Sequence, residues 1–318
     1  MILLCNRDTD RDANMSTTYS KRGGTTGFIL CALISMATSA VAQQRDWEQE
    51  TFSTTEVRPG LYMLSGAGGN LALSVGRDGV LLVDDDMTPM AGKLQAAIAE
   101  LTEKPVRFIL NTHWHFDHVG GNAALGASGS VIVAHQRVRE RMAEGQYSTT
   151  FQMDIPPAEP IALPLVTFEQ GLAFHFNDDT VEVEHAPAAH TDGDSLVFFA
   201  ASNVVHTGDL YWNGIYPLVD VESGGRMLGV IEGVAAILAR IDDETKVIPG
   251  HGPLSDKAAL QAYHDMMKTV FERVSTHKSR GMSVDDVIAA KPTAEFDEHW
   301  GKGLFSPEQW VQLIYGAI

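Results

Sequence analysis

The stretch Asn111-Thr112-His113-Trp114-His115-Phe116-Asp117-His118 follows directly on the apolar segment Val106-Arg107-Phe108-Ile109-Leu110. Pro105 stops the helix before it, and the apolar segment reads as a buried strand. Three histidines and one aspartate then fall within residues 113–118. In an extended backbone alternate side chains share a face, so His113 and His115 can meet one ion together. The following turn carries Asp117 and His118 to a second position beside it. Gly120 and Gly121 then allow a tight turn into the next helix. Polar groups gathered behind a buried strand are costly unless partnered, and this spacing suits metal ligands.

Upstream, short apolar runs alternate with glycines. Gly60–Leu64, Asn70–Val75 and Gly79–Asp84 read as strands, with Gly66, Gly68, Gly69, Gly76 and Gly79 marking hairpin turns. The loop Ser65–Asn70 reads either as a flap or as a plain turn. Leu94, Ala97, Ile98 and Leu101 have helical spacing. Downstream, Val131–Val133 and Gln136–Glu144 make a second strand–helix unit, and residues 145–164, with four prolines, resemble a surface loop. Strands are expected at Leu172–Phe176, Val181–Glu184, Ser195–Phe199, Asn203–His206 and Lys246–Ile248. A long helix covers about Gly225–Arg240, and the remainder from Ser255 is mostly helical. Strand clusters alternating with helices in two halves imply one layered α/β domain, two sheets face to face with helices outside.

Composition narrows the chemistry. The 318 residues are 44% hydrophobic and 20% charged, which is globular usage. Asp and Glu number 41 against 23 Lys and Arg, a net charge of −18 that opposes a nucleic-acid partner. Lys21 and Arg22, the apolar run Gly27–Ala37 and the small residues Ala40-Val41-Ala42 have the order of a signal peptide. Met15 stands at the usual distance before Lys21, so residues 1–14 read as an upstream extension and cleavage is expected after Ala42. The apolar run is too short for a stable membrane span. The mature chain would be 43–318, exported to the periplasm or secreted, with Cys5 and Cys31 both removed and a net charge of −19. Any metal there must be held by nitrogen and oxygen.

The H-x-H-x-D-H string resembles the metallo-β-lactamase superfamily, and three further segments match its pattern in order. They are Ala189-His190-Thr191, Thr207-Gly208-Asp209-Leu210 and Pro249-Gly250-His251-Gly252. The resemblance implies a four-layer αββα sandwich of two mixed sheets, with two metal ions. His113, His115 and His190 would hold the first ion. Asp117, His118 and His251 would hold the second, with Asp209 bridging. Zinc suits these ligands, and iron or manganese fits the same set. The pair would supply a bridging hydroxide and polarise a carbonyl, with the catalytic Asp117 orienting that hydroxide and taking its proton. Asp84 is expected to orient a ligand, against the plainer reading of a turn residue. Tyr211 and Trp212 are expected to border the pocket, and Asn213 to donate to a substrate oxyanion or close a turn. His185 and His206 read equally as core or ligand-supporting residues; His135, His175, His264, His277 and His299 have no ligand context.

Substrate follows from site and compartment. The cysteine-using β-lactamases carry Cys at the position of Asp209 and a lysine soon after, whereas no basic residue follows here until Arg226. Glyoxalase II works on intracellular glutathione thioesters with a basic helical tail, which an exported acidic chain fits poorly. The expected activity is hydrolysis of a small cyclic amide or ester, a β-lactam or lactone. A thioesterase of the glyoxalase II type and a non-catalytic zinc-binding protein are the alternatives.

Overall fold

The computed structural model describes residues 45–318; the expected signal segment and its cleavage point lie outside them. Strands β1 (Ser53–Arg58), β2 (Leu61–Ser65), β3 (Asn70–Gly76) and β4 (Gly79–Val83) form an antiparallel meander. Helix α1 (Ala91–Leu101), β5 (Val106–Asn111), α2 (Asn122–Ala127), β6 (Val131–His135) and α3 (Gln136–Glu144) follow. A separate hairpin, β7 (Gln146–Ser148) and β8 (Met153–Ile155), precedes β9 (Val166–Phe168). Then come β10 (Gly171–Phe176), β11 (Asp179–His185), β12 (Ser195–Phe199), β13 (Val204–His206), α4 (Met227–Arg240), β14 (Lys246–Ile248) and β15 (Ser255–Asp256). The chain finishes with α5 (Lys257–Ser279), α6 (Val284–Ala289), α7 (Asp297–Trp300) and α8 (Pro307–Ala317).

The first sheet has the order β1-β2-β3-β4-β5-β6-β9, antiparallel to β4 and parallel beyond it. The second runs β10 to β15 in chain order, antiparallel except for the parallel pair β13–β14. Leu81 and Val83 of β4 and Leu110 of β5 face Val181, Val183, Val197 and Phe199 of the second sheet. The intervening residues Val80, Leu82 and Ile109 face Leu94 and Ile98 of α1 and Leu125 of α2. A period of two with both faces apolar is what a strand covered on both sides requires. Leu196, Phe198, Val205 and Val247 turn outward against Val230 and Val234 of α4 and Leu260 and Val270 of α5. The layers are therefore helix, sheet, sheet, helix, as expected. Each such side chain contributes roughly 1.5–3 kcal/mol by burial.

Two differences from the sequence reading have simple causes. The segment 145–164 is not a plain loop, because its prolines, Pro156, Pro157, Pro160 and Pro164, all fall after hairpin β7–β8. Strand β1 carries no apolar alternation: its first four residues are exposed on a sheet edge. No helix among the described residues is long and apolar enough to cross a membrane.

Candidate metal centre

Strands β4 and β5 are parallel neighbours, so the segments leaving them, Asp84–Asp86 and Thr112–His118, emerge side by side. Asp84, Asp85 and Asp86 are all fully buried, and each carboxylate accepts at least one hydrogen bond, although Asp85 Oδ2 has no partner. Asp84 accepts from Thr112 N and Oγ1, both at 2.7 Å, and from His118 Nδ1 at 2.8 Å. Asp85 accepts from Gly121 N at 2.8 Å, and Asp86 from Ala67 N and Gly68 N at 3.0 and 2.9 Å. Burial pushes the carboxyls of Asp85 and Asp86 up, against these backbone donors. The loop Ser65–Asn70 is thereby pinned to Asp86 rather than loose. Gly69 belongs to this fit, since a Cβ there would collide with the His118 ring.

The remaining groups arrive from the second sheet. The β11–β12 connection carries His190, a single 3-10 turn after β13 carries Asp209, and the turn after β14 carries His251. Ligand atoms of His113, His115, His190 and Asp209 lie within 4.8 Å of one another, as do those of Asp117, His118 and His251. His115 Nδ1 is 3.1 Å from His113 Nε2 and 2.9 Å from His190 Nε2. Asp209 Oδ2 is 3.7 Å from His113 Nε2, 3.5 Å from His190 Nε2 and 3.3 Å from His251 Nε2, while Oδ1 is 3.2 Å from His118 Nε2. Asp117 Oδ2 stands 3.4 Å from His251 Nε2 and 3.7 Å from His118 Nε2. All seven groups of the sequence reading converge.

The outer ring nitrogens fix the tautomers. Thr112 Oγ1 gives its proton to Asp84 and so accepts from His113 Nδ1 at 3.0 Å. His190 Nδ1 donates to Leu218 O at 2.9 Å, and His115 Nε2 donates to Asp220 Oδ2 at 2.9 Å. Three lone pairs therefore point at one another with no proton between them. Nitrogens about 2.0–2.1 Å from a tetrahedral zinc would be about 3.3 Å apart, close to the spacing seen. Asp209 Oδ1 likewise is buried without a hydrogen bond. The donor set fits divalent metal.

Electrostatics agree with this. Burial holds the His113 imidazole well below its usual pKa and takes His190 down to about 4, favouring neutral rings. Burial also opposes charge on His118, yet Asp209, Asp117 and Asp84 together raise it well above the ordinary value. Burial would raise Asp209, but His118, His251 and His113 hold it well below the carboxylate range. The same contest at Asp220 is won by the bond from His115.

The segment 218–223 is a support that sequence reasoning missed. Besides Leu218 O and Asp220, it supplies Ser223 Oγ to Trp114 Nε1 at 3.1 Å, and Asp220 N donates to His190 O at 2.9 Å. Only the carboxylate of Asp220 downstream of His190 hinted at it. By contrast, Tyr211 and Asn213 do not face the cluster. The Tyr211 hydroxyl is buried against Ser255 Oγ at 2.9 Å, and its ring packs on Tyr263. Asn213 Nδ2 donates to Pro253 O at 2.9 Å, closing a turn. Trp212 packs its ring against His251 at 4.4 Å. The 3-10 turn Gly208–Leu210 sends the Tyr211 side chain away from the ligands. His206 bonds Asn70 O and Gly208 N, and His185 stacks on His135, so neither reaches the cluster.

An αββα sandwich with a His/Asp cluster at the strand ends defines a class of metal-binding hydrolase folds. Residues 67–254 match the Metallo-beta-lactamase superfamily, and the chain belongs to it. It is 27% identical over 164 residues to a hydroxyacylglutathione hydrolase of Polaromonas sp., covering 51% of this chain and 55% of that protein. The chain thus spans about half the length of that curated relative. Its fold is similar to the sec-alkylsulfatase Pisa1 from Pseudomonas sp., with TM-score 0.63 and 16% identity over 83% of this chain and 50% of that one. A metallo-beta-lactamase from Pontibacter korlensis superposes with TM-score 0.57 at 18% identity, over 69% of this chain and 99% of that one.

Proposed function

We propose that the protein is an exported dinuclear zinc hydrolase acting on a small carbonyl substrate, a lactone or β-lactam. The observation that carries this reading is the convergence of unprotonated His113 Nε2, His115 Nδ1 and His190 Nε2 beside Asp209. His113, His115 and His190 would hold one ion, and Asp117, His118 and His251 the other, with Asp209 shared between them. When bound, the ions supply Lewis acidity and lower the pKa of a water. Asp117, partly exposed beside His251, is placed to orient that water and take up its proton. Asp84, through His118, and Asp220, through His115, keep their imidazoles in the binding tautomer.

A thioesterase of the glyoxalase II type is the second reading, supported by the Polaromonas relative. Helix α8 carries no lysine or arginine, so it offers no basic tail for a glutathione carboxylate. Elemental analysis of the purified chain is expected to give about two zinc ions per monomer, and a chelator to remove turnover of a lactone, cephalosporin and thioester panel. Full activity after metal removal would overturn the reading, and a metal-loaded protein inert on the whole panel would favour a binding role. Export is tested by mass: the mature chain should begin at Gln43, and intact residues 15–42 would refute cleavage.

A further inference from the structure

Two segments that carry no ligand border the cluster. Hairpin β7–β8 lies across a narrow cleft from His115. The loop Ser65–Asn70 instead lies against the second group, Asp117, His118 and His251. Gly69 N donates to Asp117 O at 3.0 Å, and a Cβ on Gly68 would stand 2.5 Å from that same oxygen and 2.9 Å from Asp117 Cβ. A Cβ on Gly69 would strike the His118 ring. At the end of the loop Asn70 N donates to Gly250 O at 2.7 Å, one residue before His251. The loop thus meets every segment that supplies the second group. Among the described residues none of its hydrogen bonds reaches His113, His115 or His190.

Asp86 holds the middle of this loop. Its Oδ2 accepts from Ala67 N at 3.0 Å and its Oδ1 from Gly68 N at 2.9 Å, with Met87 N as a further donor. The side chain is fully buried, and its backbone sits at φ 62°, in the left-handed region. Glycine would suit that backbone better, so the carboxylate and not the turn accounts for an aspartate there. Asp117 needs such a support. The rings of His113, His115, His118 and His190 each have an outer nitrogen bonded to a partner. The Asp117 carboxylate has no comparable donor among the described residues and faces only the ligands His118 and His251.

We infer that Asp86 is a positioning residue for the second metal position: acting through Ala67, Gly68 and Gly69, it sets where Asp117 stands. This deepens the dinuclear reading above and rests on it. Without the Asp86 carboxylate the loop keeps its Asn70 anchor, but the Asp117 backbone loses a firmly placed donor. A ligand free to wander by a few tenths of an ångström binds metal less tightly. The three-histidine position keeps its own supports, Thr112, Asp220 and Leu218, and is left alone.

Zinc Kd values, measured by competition with a chelating dye, test this. His251→Ala identifies which of the two belongs to the second ion. Asp86→Gly removes the carboxylate while suiting the backbone, and should raise the second Kd about tenfold while leaving the first within about twofold. Asp86→Asn keeps an acceptor oxygen and tolerates the same backbone, so about threefold is expected. A merely structural role would lower the melting temperature and weaken both ions by one factor. That outcome, or two unchanged Kd values, would overturn the inference. Hydrogen exchange on the metal-free protein reads the loop without any ion: the Gly69 amide should exchange about tenfold faster in Asp86→Gly, and unchanged exchange would also overturn it. A parent protein that takes up a single ion would sink the dinuclear reading, while faster Gly69 exchange would still support the placement of Asp117 by Asp86.

Discussion

Across the cleft, the imidazole wall and the hairpin wall are held in different ways. Each of His113, His115, His118 and His190 has its outer nitrogen fixed by a named partner, and Asp84 anchors three donors at once. Hairpin β7–β8 reaches the site through one hydrogen bond from Thr149 and one ring contact from Phe151. The difference separates two tasks. Ligand atoms must stay within a few tenths of an ångström of their places, which requires supporting partners. A wall that holds no ligand atom tolerates looser anchoring and can change without disturbing the metal.

The sharpest way to break this comparison is to remove a group from the rigid wall. Asp209→Ala should abolish activity and lower metal content together, whereas Asp209→Cys should keep more metal, because a thiolate also ligates zinc. Parental metal and rate in Asp209→Ala, read by elemental analysis and turnover, would take this residue out of the centre. Supporting groups come next: Asp84→Ala should weaken metal binding by about 10- to 100-fold. Asp220→Asn keeps an oxygen for His115 and loses only charge, so about tenfold is expected, measured by competition with a chelating dye. Metal removal should also lower the melting temperature, since free metal at 100 times its Kd stabilises by about 2.7 kcal/mol. The smallest effect belongs to Tyr211→Phe, which should leave metal content intact and cost about 0.5–1.5 kcal/mol from the lost Ser255 bond. A loss of metal in that variant would return Tyr211 to the site.

The same contrast explains what the sequence made legible. The ligand segments could be read because a strand places His113 and His115, two apart, on one side, and the turn after it carries Asp117 and His118 to a second group beside them. The layered fold was legible from apolar runs such as Gly79–Val83, buried throughout. Asp220 was hidden because it meets His115 across 105 residues of sequence without any motif. Tyr211 misled for the opposite reason, being adjacent in sequence to Asp209 but turned away by a 3-10 turn. The hairpin was masked by prolines that lie just beyond it.

One residue already met in passing ties these parts together. Asn70 at the start of β3 uses every polar group it has: its amide N donates to Gly250 O, its Nδ2 to Pro249 O and Gly252 O, its Oδ1 accepts from Ser65, and its carbonyl accepts from His206. The bonds to Pro249 and Gly252 rivet the first sheet to the His251 turn across 179 and 182 residues of chain, and the bond from His206 ties it to β13 across 136. Contacts of such separation form only after long loops have closed, which slows folding. The centre is therefore expected to be completed only when both halves have docked. Co-expressed fragments divided between β9 and β10 should accordingly recover metal binding only upon association, with Asn70→Ala weakening the reunion.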